Sequence, residues 1–383
     1  VNFVNNQSYN NSFIKKRGYA MRKLLLSTTA LAAAATLSAN TVLADVSISG
    51  AMEWTYESFD RGSAILGAGA SNDDFSSDTN VKMTFTNKTD SGLTIGMVLD
   101  METIGDDAAS GVAADEQYMF IKGGFGEIQL GMNDGAGDQL SRTASDLIGP
   151  DANSDNGGTY TGTTGSKVDG YAQTVDATRL ADDNADLIND INDENSITYL
   201  FPTMGGLSLG VSYKDAGDTA AANADETVIG AKYAFESGAV KGTLHYANSN
   251  VGGASAGDGS LNSDSMGIDV TSGPFRAVIA KANSDMTTAV TTEVTDYGVQ
   301  YNMGNGITLA AVATQVEENV GGESSDITTV SVKYNIASGL DAYLTYSDYD
   351  YENGTSATSN VATNPDDDGS VTFITVKAAF RSE

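Results

Sequence analysis

From residue 45 onward the chain alternates hydrophobic and polar residues with a period of two. Leu207, Leu209, Val211 and Tyr213 interleave with Ser208, Gly210, Ser212 and Lys214. Val240, Leu244 and Tyr246 interleave with Lys241, Thr243 and His245, and Tyr297, Val299 and Tyr301 with Gly298, Gln300 and Asn302. A strand sends successive side chains to opposite faces, so each segment has one apolar and one polar face, and helical spacing fails. Read in this way, the sequence predicts sixteen strands, near 46–59, 80–89, 93–103, 115–123, 126–133, 196–201, 207–214, 227–235, 239–248, 265–271, 275–283, 292–302, 307–317, 326–335, 340–349 and 369–380.

The connections alternate between short and long. The seven short ones include Asp90-Ser91-Gly92, Gly124-Phe125, Glu236-Ser237-Gly238 and Ser272-Gly273-Pro274, and eight longer acidic, Gly/Ser/Asn-rich stretches separate them. Sixteen antiparallel strands with both ends on one side require seven turns there and eight loops on the other. Bacterial outer-membrane barrels have even strand numbers, short periplasmic turns and longer external loops, so the alternation orients the chain as well as counting it. Phe201, Phe235, Phe275, Tyr301, Tyr334 and Phe380 stand beside the short turns or the C-terminal strand end, whereas Trp54, Tyr56, Tyr213, Tyr246 and Tyr346 stand at the far ends. Two aromatic belts at the two membrane interfaces account for both sets.

Ahead of the alternating region, Met21-Arg22-Lys23 precedes an apolar run from Leu24 to Leu37, and Val42-Leu43-Ala44 supplies small residues for cleavage. That is a secretory signal peptide, too short to span a bilayer, which takes about 20 residues. Residues 1–20 are read as an upstream extension from a mis-called start, 21–44 as the signal peptide and 45–383 as the barrel. Export, the alternating connections and a shortage of large residues to fill so wide an interior together send the apolar face to lipid and the polar face to water. Lys82, Lys232, Lys241, Lys333 and Lys377 then line the lumen; on the lipid face each would cost about 2–4 kcal/mol near the midplane. Lys122 and Lys281 fall on the apolar phase near strand ends, where long side chains reach the interface.

Composition narrows the function. The chain holds 51 Asp and Glu against 20 Lys and Arg, a net charge of −31, which excludes nucleic acid as a partner because that affinity rests on basic residues. With no cysteine there is no thiolate metal site, thiol nucleophile or disulfide. His245 is the only histidine and by register points into the lumen, so a Ser-His-Asp arrangement has little support and no catalytic residue is assigned.

Val46-Ser47-Ile48-Ser49-Gly50, the turn Gly124-Phe125-Gly126-Glu127-Ile128-Gln129-Leu130-Gly131 and the ending Val376-Lys377-Ala378-Ala379-Phe380 resemble the trimeric general diffusion porins of the Gram-negative outer membrane. The resemblance runs from Asp45 to Phe380. It implies homotrimers and a loop after the fifth strand folded into the pore as a constriction. Residues 134–195 are that loop; it is longer than is usual in the family, lacks the Pro-Glu-Phe-Gly-Gly tip of enteric relatives, and shows helical spacing at Leu180, Leu187, Ile188 and Ile191. Arg381-Ser382-Glu383 follow the aromatic at which family members usually stop.

The loop carries thirteen acids from Asp134 to Glu194, against Arg142, Lys167 and Arg179. The resemblance implies that loop acids face basic wall residues across the narrowest point. Candidates are Lys82, Lys232, Lys241 and Lys333 on the wall with Asp138, Arg142 and Asp146 on the loop. So many acids along the pathway should enrich cations. Asp366-Asp367-Asp368 and Asp73-Asp74 are assigned to external loops, where a divalent cation such as calcium could bridge them to each other or to lipopolysaccharide; no other cofactor is expected. The expected function is passive diffusion of small hydrophilic solutes and ions across the outer membrane, with weak cation preference. The alternatives are a substrate-selective porin and a plugged barrel serving as an adhesin or surface-structural protein.

Overall fold

A computed structural model of the chain describes residues 45–61, 73–104, 113–150, 191, 194–215, 225–252, 261–285, 291–319, 324–352 and 367–381. The expected upstream extension and signal peptide, the helical spacing at Leu180 to Ile188, and Asp366 lie outside them. Sixteen antiparallel strands close into one barrel. They are β1 (Asp45–Arg61), β2 (Asp73–Lys88), β3 (Thr94–Ile104), β4 (Ala113–Gly123), β5 (Gly126–Asn133), β6 (Glu194–Leu200), β7 (Leu207–Lys214) and β8 (Glu226–Ser237). The second half comprises β9 (Val240–Val251), β10 (Leu261–Ser272), β11 (Phe275–Asp285), β12 (Thr291–Gly304), β13 (Ile307–Glu318), β14 (Ser324–Ala337), β15 (Leu340–Glu352) and β16 (Asp367–Arg381). Each strand pairs with its sequence neighbours, and β1 meets β16 with Gly50 opposite Phe380, so the sheet has no free edge.

The short connections turn through glycines at positive φ, among them Gly92 (85°), Gly238 (62°) and Gly273 (59°), conformations that cost other residues strain. Outward-facing Met52, Trp54, Ile229, Leu244, Ile279, Val299, Leu344 and Ile374 are all exposed, as a lipid-facing surface requires. Aromatics close both borders of that band: Phe275 packs on Tyr301 with ring centroids 4.7 Å apart beside a short turn, and Trp54 stacks on Phe75 at 5.4 Å near the other end. Inside, hydroxyls pair across strands, as in Thr198–Ser212 (2.8 Å), Thr329–Ser347 (2.7 Å) and Ser331–Thr345 (2.8 Å).

Several details depart from the sequence reading. Strand β2 begins at Asp73, so Asp73 and Asp74 open a strand rather than lying in a loop, and the Ser58 hydroxyl donates to Asp73 at 2.7 Å. Asp367 and Asp368 likewise begin β16, opposite Tyr351 and Asp350. Lys122 shares the lumen phase of Lys82's partner Glu116 and pairs with Glu127 at 3.1 Å; bulky Ile121 beside it takes the lipid side. Lys281 does lie on the outward phase and meets Glu293 at 2.6 Å. The inner wall is not uniformly polar either. Val278, Ala280, Ala282, Val294, Ala310, Val312 and Val316 face inward and are buried, because part of the loop after β5 covers some of them.

Candidate pore constriction

The loop after β5 enters the barrel and follows its wall. Gly135 donates its N–H to the Ile191 carbonyl at 2.7 Å, closing the base of the loop, and Ile191 is buried against Val228 and Ala247 on the inner wall. One short helix, α1 (Ala136–Leu140), follows. It has no side-chain cap and is too short to be stable alone. Packing holds it: the Ala136 N–H donates to Ser212 Oγ at 2.7 Å, and Ala136 and Leu140 are buried. Gly210 and Gly230 make the room. A Cβ on Gly210 would lie 2.8 Å from the Ala136 Cβ, and one on Gly230 would run into the Ala136 carbonyl. Gln139 reinforces the base by donating to Gln129 at 2.9 Å and to the Asp134 carbonyl at 2.7 Å.

A 3-10 turn, Ser145–Leu147, forms the second seat. Asp296 of β12 accepts the N–H groups of Ala144 (2.7 Å) and Ser145 (3.3 Å) on one carboxylate oxygen and the Thr314 hydroxyl (3.3 Å) on the other. Gln300 donates to the Leu147 carbonyl at 3.2 Å. Ala144, Leu147 and Ile148 pack on Val278, Ala310 and Val312, over Gly298, whose hydrogen leaves space a side chain would fill. Gly149 then reaches Ser331 and Thr345 on β14 and β15. The described loop thus lines the wall from β7 to β15.

Charges separate along this path. At the loop base, Asp134 lies among Asp138, Glu116 and Asp115, and burial followed by those neighbouring charges pushes its carboxyl up to about 8. Lys82 is there too, bound to Asp100 (3.0 Å) and Glu116 (2.6 Å). Farther along, Arg142 lies within electrostatic reach of Lys232 and His245, and Asp146 within reach of Arg276 and Asp296. Arg276 grips Asp269 with both Nε (3.1 Å) and Nη2 (2.8 Å).

Of the sequence candidates, Lys82, Lys232, Asp138, Arg142 and Asp146 therefore gather along the loop. Lys241 pairs with Glu236 across a short turn at 3.5 Å, and Lys333 with Asp341 at 2.8 Å near another. Lys377 pairs with Glu53 on the lumen side of β16 and β1. Sequence reasoning missed Asp296, Asp134, Arg276 and Asp269. It also missed the signal that marks the loop's seats: glycines in mid-strand at the lumen phase, where another backbone approaches closely. His245 lies over Gly267 beside Lys232, and its Nδ1 has no hydrogen-bond partner.

A closed sixteen-stranded barrel with a lipid-facing apolar belt and a loop folded along its inner wall defines a transmembrane porin-type channel protein. The family model described as Gram-negative porin matches residues 27–354, so the chain belongs to the Gram-negative porin family of the outer membrane. Two triple mutants of the Rhodopseudomonas blastica porin are among the solved structures it resembles. Each superposes with a TM-score of 0.61 at 17% identity, covering 88% of this chain and 100% of the other. No curated protein matches.

Proposed function

We propose that this porin passes small hydrophilic solutes and ions by passive diffusion with a weak preference for cations, and that the separation of charge along the constriction loop carries this preference. Acids crowd the loop base beside β4, while Arg142 and Lys232 stand at β8 and β9. A permeating dipole is oriented between such groups, and an apolar solute gains nothing to offset losing its hydration. The excess of acids over bases in the whole chain raises the local cation concentration.

Family membership supports a homotrimer, with the acidic loop ends facing lipopolysaccharide, and residues 21–44 as the removed export signal. Planar-bilayer conductance tests the channel reading. Steps in multiples of three and a cation-signed reversal potential in a KCl gradient are expected. An anion-signed reversal overturns the preference, and a silent barrel favours the plugged, structural reading. N-terminal sequencing of the exported protein should begin at Asp45.

A further inference from the structure

Away from the strand ends, most of the described basic side chains on the lumen face have carboxylate partners. Lys82, Lys122, Lys214, Lys241, Lys333, Lys377 and Arg276 are each ion-paired. Lys88 and Arg381, at strand ends, have no described ion pair, and neither do two basic groups that stand together inside the pore. Among the described residues Lys232 has no ion pair or hydrogen bond, and Arg142 donates only to the adjacent Ser141 carbonyl, at 2.6 Å. Each lies within the other's field, and no described carboxylate pairs with either to offset their repulsion.

The surroundings explain why no described carboxylate pairs with them. Lys232 is directly opposite His245 in the β8–β9 pairing, and Gly230, one inward position along β8, is filled by the Ala136 carbonyl. His245 is 5% exposed and its Nδ1 has no partner, whereas buried polar atoms are ordinarily satisfied. Asp269, the carboxylate whose field reaches His245, is already held by the bidentate grip of Arg276. Two basic groups without a described carboxylate partner remain, a planar fork on the loop and a flexible ammonium on the wall, the combination that holds a small oxyanion.

We propose that Arg142 and Lys232, with His245 beside them, form a binding station for a small oxyanion, a phosphate or carboxylate group, inside the otherwise acid-rich pore. This deepens the channel reading and rests on it. A permeating anion would pause here, with loop and wall each supplying one charge. The family pattern of acidic loop against basic wall is locally replaced by a cation on both sides.

The test adds inorganic phosphate to the refolded protein in planar bilayers at constant ionic strength. Phosphate should block single channels in a concentration-dependent way. R142Q and K232Q should each raise the half-blocking concentration about tenfold, the loss of one charge-assisted contact. K88Q, which removes a lysine from the turn end of β2, should leave it unchanged. Block that is insensitive to both substitutions, or a conducting channel that phosphate does not block, overturns the station. Phosphate titration calorimetry on the detergent-solubilised protein reads the site without conductance. A silent channel that still binds phosphate in an Arg142-dependent way therefore retains the station while the channel reading fails, and the absence of binding there overturns it.

Discussion

The Asp296 carboxylate of β12 accepts the Ala144 N–H at 2.7 Å across 152 residues of sequence, latching the constriction loop to the barrel wall. Hydrogen bonds to a charged group contribute about 1.5–3 kcal/mol each. Asp296→Ala should therefore leave the barrel folded but release the 3-10 turn. Single-channel recordings are expected to show larger mean conductance and new flicker, with the heat-modified shift on gels unchanged. Recordings identical to wild type would mean that the apolar seat under Leu147 suffices alone.

Gly230→Val should act on the first seat. Its side chain would occupy the space of the Ala136 carbonyl, and overpacking of this kind costs about 1–3 kcal/mol. The expected outcome is displacement of α1 and protease sensitivity at the loop base. Gly252→Val near the strand end serves as the comparison, since a Cβ there meets its nearest atom only at 3.4 Å.

Asp134 gives the pore a pH dependence. Its carboxyl ionises at about 8 in the folded protein, against 3.8 ordinarily. The folded state keeps a proton that the unfolded chain has lost, so this group's contribution to stability is fully present below 3.8 and is lost as pH rises through about 8. Between pH 6 and 9 a new negative charge develops at the loop base, and the potassium-to-chloride permeability ratio should climb. Asp134→Asn should flatten that rise; a rise that persists would assign it elsewhere.

Lys82→Gln would leave the buried Asp100 and the nearby Glu116 without their shared cation. Reversal potentials should move toward stronger cation selectivity, and chemical stability should fall, since breaking a buried pair costs about 3–5 kcal/mol at full burial and less here, where Lys82 is 39% exposed. The double change with Glu116→Gln should recover part of both.

The strands and their connections were legible because period-two alternation and turn glycines are local signals. The two seats of the loop were not. Helix α1, Ala-Gly-Asp-Gln-Leu, has neither the length nor a cap to announce itself, and its stability comes from a wall some seventy residues away, beginning at Ser212. Strands β11 and β13 carried a clue in Ala277-Val278-Ile279-Ala280 and Leu309-Ala310-Ala311-Val312. Such runs, apolar on both phases, suit a strand covered on both sides, by lipid outside and by the loop within. Asp296, a lone acid on a lumen-facing phase, is indistinguishable in sequence from a hydrated pore lining; only the fold brings Ala144 to it. Arg142 and Lys232 were legible as basic residues, but their lack of a carboxylate partner among the described residues was not, since pairing is a property of register and loop path together.

The meeting of Gly50 with Phe380 also sets a schedule for assembly. Until β16 has emerged, β1 has one unsatisfied flank, and every shorter product presents two open edges that hydrocarbon cannot solvate. Closure therefore waits on β16, the strand that satisfies β1 and β15 at once and leaves neither flank facing hydrocarbon.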